Sequence, residues 1–194
     1  VVWVDDEDRA RAASTALPAP TLRPSVAGKV RTGEKVVCEP GAFRASSTTY
    51  QWLRGGKAIK GATKATRKLA PADFGKRVAC RVTATNAAGS TTYSSATTVV
   101  KPGRIRAVKK PKVKGKAAMG GTAKATAGRW SVKPDKVQYR WILGNKKVKG
   151  PAGKARTYAV KAADAGKRLR VRVTVKADGY AKASARSKAK KVKG

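Results

Sequence analysis

The chain has 194 residues, with 46 Lys or Arg against 10 Asp or Glu and no His, a formal charge of +36. That length accommodates two small domains, each able to bury a core. A chain without His excludes His-based triads and imidazole proton relays, and no run of about 18 apolar residues is present to cross a bilayer as a helix.

The charge is uneven along the chain. Residues 1–23 carry 3 basic and 4 acidic side chains, residues 24–101 carry 14 and 3, and residues 102–194 carry 29 and 3. An excess of this kind speaks of partners and solubility rather than of fold. It predicts a surface for polyanions: teichoic-type wall polymers, acidic polysaccharide, anionic membrane or nucleic acid.

In chain order, residues 1–16 read as a strand (VVWV), an acidic turn (Asp5-Asp6-Glu7-Asp8) and a second strand (RARAAST). This stretch resembles the closing hairpin of a PKD-type or Ig-type β-domain, with Asp8 where that pattern carries Gly. The acidic spacing does not match a calcium-binding EF-hand loop. A stiff Pro-rich linker, LPAPTLRP, follows. The chain opens within a strand, shows neither initiator Met nor signal-peptide pattern, and ends in KAKKVKG without a sorting or lipidation motif. The expectation is a fragment of a longer or processed protein.

The remainder is an internal repeat. Pro24, Gly28, Gly33, Gly41 and Phe43 recur 87 positions on, as Pro111, Gly115, Gly120, Gly128 and Trp130. Tyr50, Trp52, Gly55 and Gly61 recur after 89, and Asp73, Gly75 and Val78 after 91. Two-residue insertions are therefore expected in the loops before Tyr139 and after Gly150. Within each copy, Tyr50 and Trp52, or Tyr139 and Trp141, alternate with polar residues and so share the buried face of a strand. Gly55-Gly56 and Gly144-Asn145 then supply positive backbone angles for a tight hairpin. Val78, Cys80 and Val82 alternate in the same way, as do Leu169, Val171, Val173 and Val175. Short strands with turns every 8–12 residues predict an all-β sandwich.

Cys38 and Cys80 fall in one copy. An even count in a chain of extracellular character favours a disulfide over two buried thiols, and two Cys without His cannot build a metal site. Asp73 and Asp164 occupy equivalent turns, where a structural role is simpler than a catalytic one. Ser187 and Lys190 match a Ser-x-x-Lys spacing only within a Lys/Ala-rich tail. No P-loop or dinucleotide motif occurs. The chain is expected to be non-enzymatic, with no cofactor.

The segments PSVAG, YQWLRGGKAIKGAT and DFGKRVACRVT, echoed by PKVKG, Trp130, YRWILGNKKVKG, Tyr158, DAGKRLRVRVT and Gly179-Tyr180, resemble the tandem Ig-like repeats of bacterial secreted and surface proteins. The resemblance covers about residues 21–194. It implies two antiparallel Ig-like β-sandwiches, 24–101 and 102–194, after a remnant of a preceding β-domain at 1–23. It also implies an Ig-type Cys…Trp…Cys core of Cys38, Trp52 and Cys80, replaced in the second copy by Ala125, Trp141 and Val171. Arg67 stands where the second copy has Tyr158, and Gly89-Ser90 where it has Gly-Tyr, which should leave the first core poorer in aromatics.

If Leu169, Val171 and Val173 face inward, Arg168, Arg170 and Arg172 face outward. Strand alternation adds Arg140, Lys182, Arg186 and Lys188 to that side, and the strands concerned are neighbours in an Ig sheet. Seven aligned bases exceed what solubility requires. They predict attachment to an anionic cell-wall or surface polymer, by a monomeric, secreted or surface-exposed bacterial module. Sequence-nonspecific nucleic-acid binding is the second reading, and a purely structural stalk of a larger secreted enzyme or adhesin the third. The first copy offers Gln51, Arg77, Ala79, Arg81 and a Ser/Thr-rich last strand, a far less charged face.

Overall fold

The computed structural model describes residues 16–194, so the hairpin expected at the N-terminus lies outside the described residues. The chain divides into two compact units, with the break between Gly103 and Arg104. Regular structure among the described residues is β-strand apart from three short 3-10 turns, Pro71–Asp73, Pro151–Gly153 and Ala162–Asp164.

Unit 1 contains β1 (Ser25–Gly28), β2 (Lys35–Glu39), β3 (Ser47–Arg54), β4 (Lys57–Ala58), β5 (Thr66–Lys68), β6 (Arg77–Asn86), β7 (Gly89–Ser94) and β8 (Thr98–Val99). One antiparallel sheet runs β1-β2-β5 and the other β8-β6-β3-β4, with β7 also beside β6. Unit 2 repeats the plan with β9 (Val113–Gly115), β10 (Thr122–Ala125), β11 (Lys136–Leu143), β12 (Lys146–Lys147), β13 (Thr157–Ala159), β14 (Arg168–Lys176), β15 (Ala183–Arg186) and β16 (Lys190–Lys191). Its sheets run β9-β10-β13 and β12-β11-β14-β15, with β16 also beside β14. Two packed antiparallel sheets in this order make each unit an Ig-like β-sandwich.

Period-two alternation sorts the side chains. Trp52, Val78, Cys80 and Val82 are buried in unit 1, and Trp141, Leu169, Val171, Val173 and Val175 in unit 2. Tyr50 and Tyr139 sit half-buried at the core margins. Each buried indole donates to a loop carbonyl, Trp52 Nε1 to Lys64 at 2.9 Å and Trp141 Nε1 to Ala155 at 2.9 Å, which removes the cost of an unpaired N–H. A disulfide joins Cys38 on β2 to Cys80 on β6, with Cα atoms 5.8 Å apart, and so ties one sheet to the other. In unit 2 the two strands carry Ala125 and Val171, both fully buried.

Two features depart from simple alternation. The edge strand beside β6 is split at Ser95, whose N–H donates to Cys80 O while its hydroxyl accepts from Cys80 N at 3.1 Å. Ser187 does the same for Val171. The Ser187 hydroxyl is thus a buried structural acceptor that stands in for a missing ladder carbonyl. The hairpins also differ from expectation. Gly55 and Gly56 both have positive φ (57° and 81°), but at the equivalent turn of unit 2 Gly144 does (57°) and Asn145 does not. Asn145 needs no left-handed backbone, because a two-residue turn with Gly first places only that residue at positive φ.

Candidate polyanion-binding face

The outward side of the β12-β11-β14-β15 sheet follows from strand register. Arg140, Arg172 and Arg186 are direct partners across β11, β14 and β15. The next outward row is Lys147, Ile142 and Arg170, and on the other side lie Gln138, Thr174 and Ser184. Neighbouring strands are about 4.8 Å apart and outward residues repeat every ~6.8 Å along a strand. Ile142 is only 8% exposed although it points away from the core. It lies among Lys147, Arg170, Arg172 and Arg186, whose aliphatic stems can cover it while their heads reach water.

Two adjoining recesses occupy this face. The larger, about 620 Å³, is lined by Gln138, Arg140, Lys154, Thr174 and Lys182, and the smaller, about 100 Å³, by Ile142, Asn145, Arg170 and Arg186. Lys147 and Arg172 border both. The Arg140 guanidinium leans on the Val148 carbonyl at 3.4 Å. Arg170 Nε is buried and meets no acceptor among the described residues. No carboxylate lines either recess, and both ion pairs among the described residues belong to unit 1. In unit 2, Asp135 accepts the Asp178 amide and Asp164 accepts Tyr158 and the Lys161 amide.

Five of the seven expected bases therefore converge: Arg140, Arg170, Arg172, Lys182 and Arg186. The other two do not. Arg168 is exposed at the end of the sheet opposite Lys191. Lys188 follows the Ser187 break and borders a separate recess with Lys109, Lys110, Lys112 and Lys190. Two cations escaped the sequence reading, Lys147 and Lys154. Lys147 was legible, because the two-residue turn pairs it with outward Ile142. Lys154 was not, since it follows the non-periodic Pro151–Gly153 turn, where the two-residue insertion after Gly150 falls. In unit 1 the row matching Arg140, Arg172 and Arg186 is Gln51, Arg81 and Ser94, with Ala79 in place of Arg170. That face is mostly hydroxyl, with Thr83 bonded to Thr92 at 3.1 Å and Thr85 to Ser90 at 2.7 Å.

The equivalent aspartates explain the Arg67/Tyr158 exchange. Asp73 is fully buried, takes 2.8 Å and 3.2 Å ion pairs from Arg67 and Arg54, and accepts the Ala70 amide at 2.7 Å. Asp164 accepts the Tyr158 hydroxyl at 2.7 Å and the Lys161 amide at 2.9 Å. The position is a partner for a buried carboxylate, so Arg67 adds an ion pair where it forgoes an aromatic ring. Burial first, and then the hydrogen bond to Asp164, push the Tyr158 hydroxyl up to about 12. A raised folded-state pKa means stability fully present below about 10 and lost as pH climbs toward about 12. One tyrosine should thus ionise last in an absorbance titration, and Tyr158→Phe should abolish that late step. The stability gap between wild type and Tyr158→Phe should narrow over the same alkaline window. A late step that survives the substitution contradicts the assignment.

No protein-family model matches the chain, and no curated protein matches it in sequence. Among solved structures, an ICAM-5 D1-D4 ectodomain fragment aligns over 85% of this chain at 16% identity with a TM-score of 0.43, and the match spans 53% of that fragment. A chimeric titin Z1Z2-Z1Z2 tandem aligns over 89% of this chain and 100% of its own length, at 16% identity and a TM-score of 0.29. The titin Ig tandem A164-A165 aligns over 91% of this chain and 96% of its own length, at 16% identity and a TM-score of 0.25.

Proposed function

We propose that the chain is a non-catalytic spacer and attachment module of a secreted or surface-exposed bacterial protein, held to anionic cell-wall or surface polymer by unit 2. In this reading residues 24–101 form a disulfide-braced spacer, and 102–194 form the attachment domain. A single observation supports the reading. Seven cations without a carboxylate line two adjoining recesses on one sheet face, whereas the corresponding row of unit 1 is Gln51, Arg81 and Ser94. Like charges so placed repel, and a polyanion relieves that repulsion while releasing its own counterions. The buried disulfide suits an oxidising compartment.

The test is retention of the protein on cell-wall preparations, intact or stripped of anionic polymer, across a salt series. Retention should fall steeply with salt, require the polymer, and weaken roughly tenfold or more in a variant with Arg140, Arg170, Arg172 and Arg186 changed to Ser. Retention indifferent to salt, stripping and substitution leaves only a structural stalk.

A further inference from the structure

Resting on that reading, we infer that the two adjoining recesses are subsites for consecutive phosphate groups of a phosphodiester-linked polyol or sugar polymer. The smaller recess, at about 100 Å³, has room for one tetrahedral oxyanion and holds Arg170, Arg172, Arg186 and Lys147. Arg170, which lines this recess, has a buried Nε that meets no acceptor among the described residues. Such a group costs free energy until an acceptor arrives, and an anionic oxygen is the strongest one available. The guanidinium fork matches two oxygens of a phosphate, whereas Lys contributes only a point charge.

The second subsite follows from register. Arg140 and Arg172 are cross-strand partners, and Arg170 stands two residues before Arg172 on the same strand. Anions bound at the two recesses would then sit about one outward repeat apart, ~6.8 Å, with Arg172 and Lys147 shared between them. A polymer that places a charge on every short repeat fits this spacing. One that carries a carboxylate on every second ring leaves half the cations unmatched. At about 620 Å³ the larger recess also has room for a linking polyol or sugar, beside the hydrogen-bonding side chains of Gln138 and Thr174. Nucleic acid shares the phosphodiester but needs rings for its bases to stack on. Trp141 is fully buried, and Tyr139, half-buried against the core cluster, is the single ring that lines the larger recess.

Titration calorimetry of the full chain at one fixed salt concentration separates the alternatives. The probes are a glycerol-phosphate oligomer, hyaluronate (a carboxylate on every second ring) of matched charge number, and single-stranded oligodeoxythymidylate. The glycerol-phosphate oligomer should bind about tenfold tighter than either other polymer. A Lys147→Ala/Arg170→Ala/Arg172→Ala variant should lose that preference. A Lys109→Ser/Lys110→Ser/Lys112→Ser variant, with equal charge removed from the remote recess, should weaken all three polymers alike and keep it. Arg172→Lys, which retains charge but not the fork, should lose most of the preference and decides the matter if the triple variant fails to fold. Equal affinity for all three polymers, or equal losses in the two triple variants, overturns the subsites while leaving general polyanion attachment intact. Tighter binding of oligodeoxythymidylate overturns them in favour of nucleic acid. Absence of binding by every probe overturns the attachment function as well.

Discussion

Replacing Cys38 by Ala and Cys80 by Val lowers the unfolding free energy of unit 1 by about 4 kcal/mol and leaves unit 2 unchanged. The bridge closes a loop of 42 residues between the two sheets, and in the chain-entropy model its main effect is to restrict the unfolded chain. The substitutions install the pair that unit 2 carries at Ala125 and Val171, both fully buried, so packing loss is kept small. For a domain of this size the transition of unit 1 should fall by roughly 20 °C. Calorimetry should show two transitions, of which one moves. A shift under about 5 °C would mean that unfolded-state structure or native packing has absorbed the effect of the bridge.

Asp73→Ala should destabilise unit 1 by about 3–5 kcal/mol. The carboxylate is fully buried, and its removal strands Arg67, whose side chain is only 13% exposed, as an uncompensated charge. It also frees the Ala70 amide at the start of the 3-10 turn. Arg54 is more exposed, at 37%, and regains water, so little of the loss arises there. Arg67→Tyr separates charge from geometry, because Tyr158 already satisfies Asp164 through a 2.7 Å hydrogen bond. It should therefore cost clearly less than Arg67→Ala, which leaves Asp73 with the partly exposed Arg54 as its one cation beside the Ala70 amide. Chemical denaturation of the three variants measures this. Equal losses for Arg67→Tyr and Arg67→Ala would show that a hydroxyl cannot serve this carboxylate.

The two units carry different polar side chains at matched positions of one framework. Gln51 and Arg140 are equivalent, and each reaches the carbonyl just past the following short strand, Ile59 for Gln51 and Val148 for Arg140. One framework thus carries a neutral anchor in one unit and a cationic one in the other. Arg54 and Leu143 differ in the opposite sense, because Arg54 pairs with Asp73 in unit 1 whereas Leu143 packs against the core of unit 2. The framework accommodates these exchanges because the strand register is the same in both units.

Much of the fold was readable from residues alone. A pleated strand sends alternate side chains to opposite faces, so the run from Arg168 to Lys176 sorts into core and surface by parity. Two-residue turns fix hairpin register, so Tyr50, Trp52, Tyr139 and Trp141 mark the same inner face twice. The 87-residue repeat, with its drift to 91, placed both insertions in loops. Parity failed only where pairing is interrupted. Beyond the break at Ser187 the alternation no longer carries through, and Lys188 leaves the face that its spacing assigned to it. Turn chemistry failed at Asn145 because Gly144 alone meets the backbone requirement. Tertiary structure decided what periodicity cannot encode. Lys154 reaches the larger recess from a 3-10 turn with no repeating pattern, and Arg67 and Tyr158 are alike only as partners of a buried carboxylate. Alternation along one strand determines which way a side chain points; which cations meet depends on contacts between segments far apart in the chain, and those exist only once the sheets are assembled.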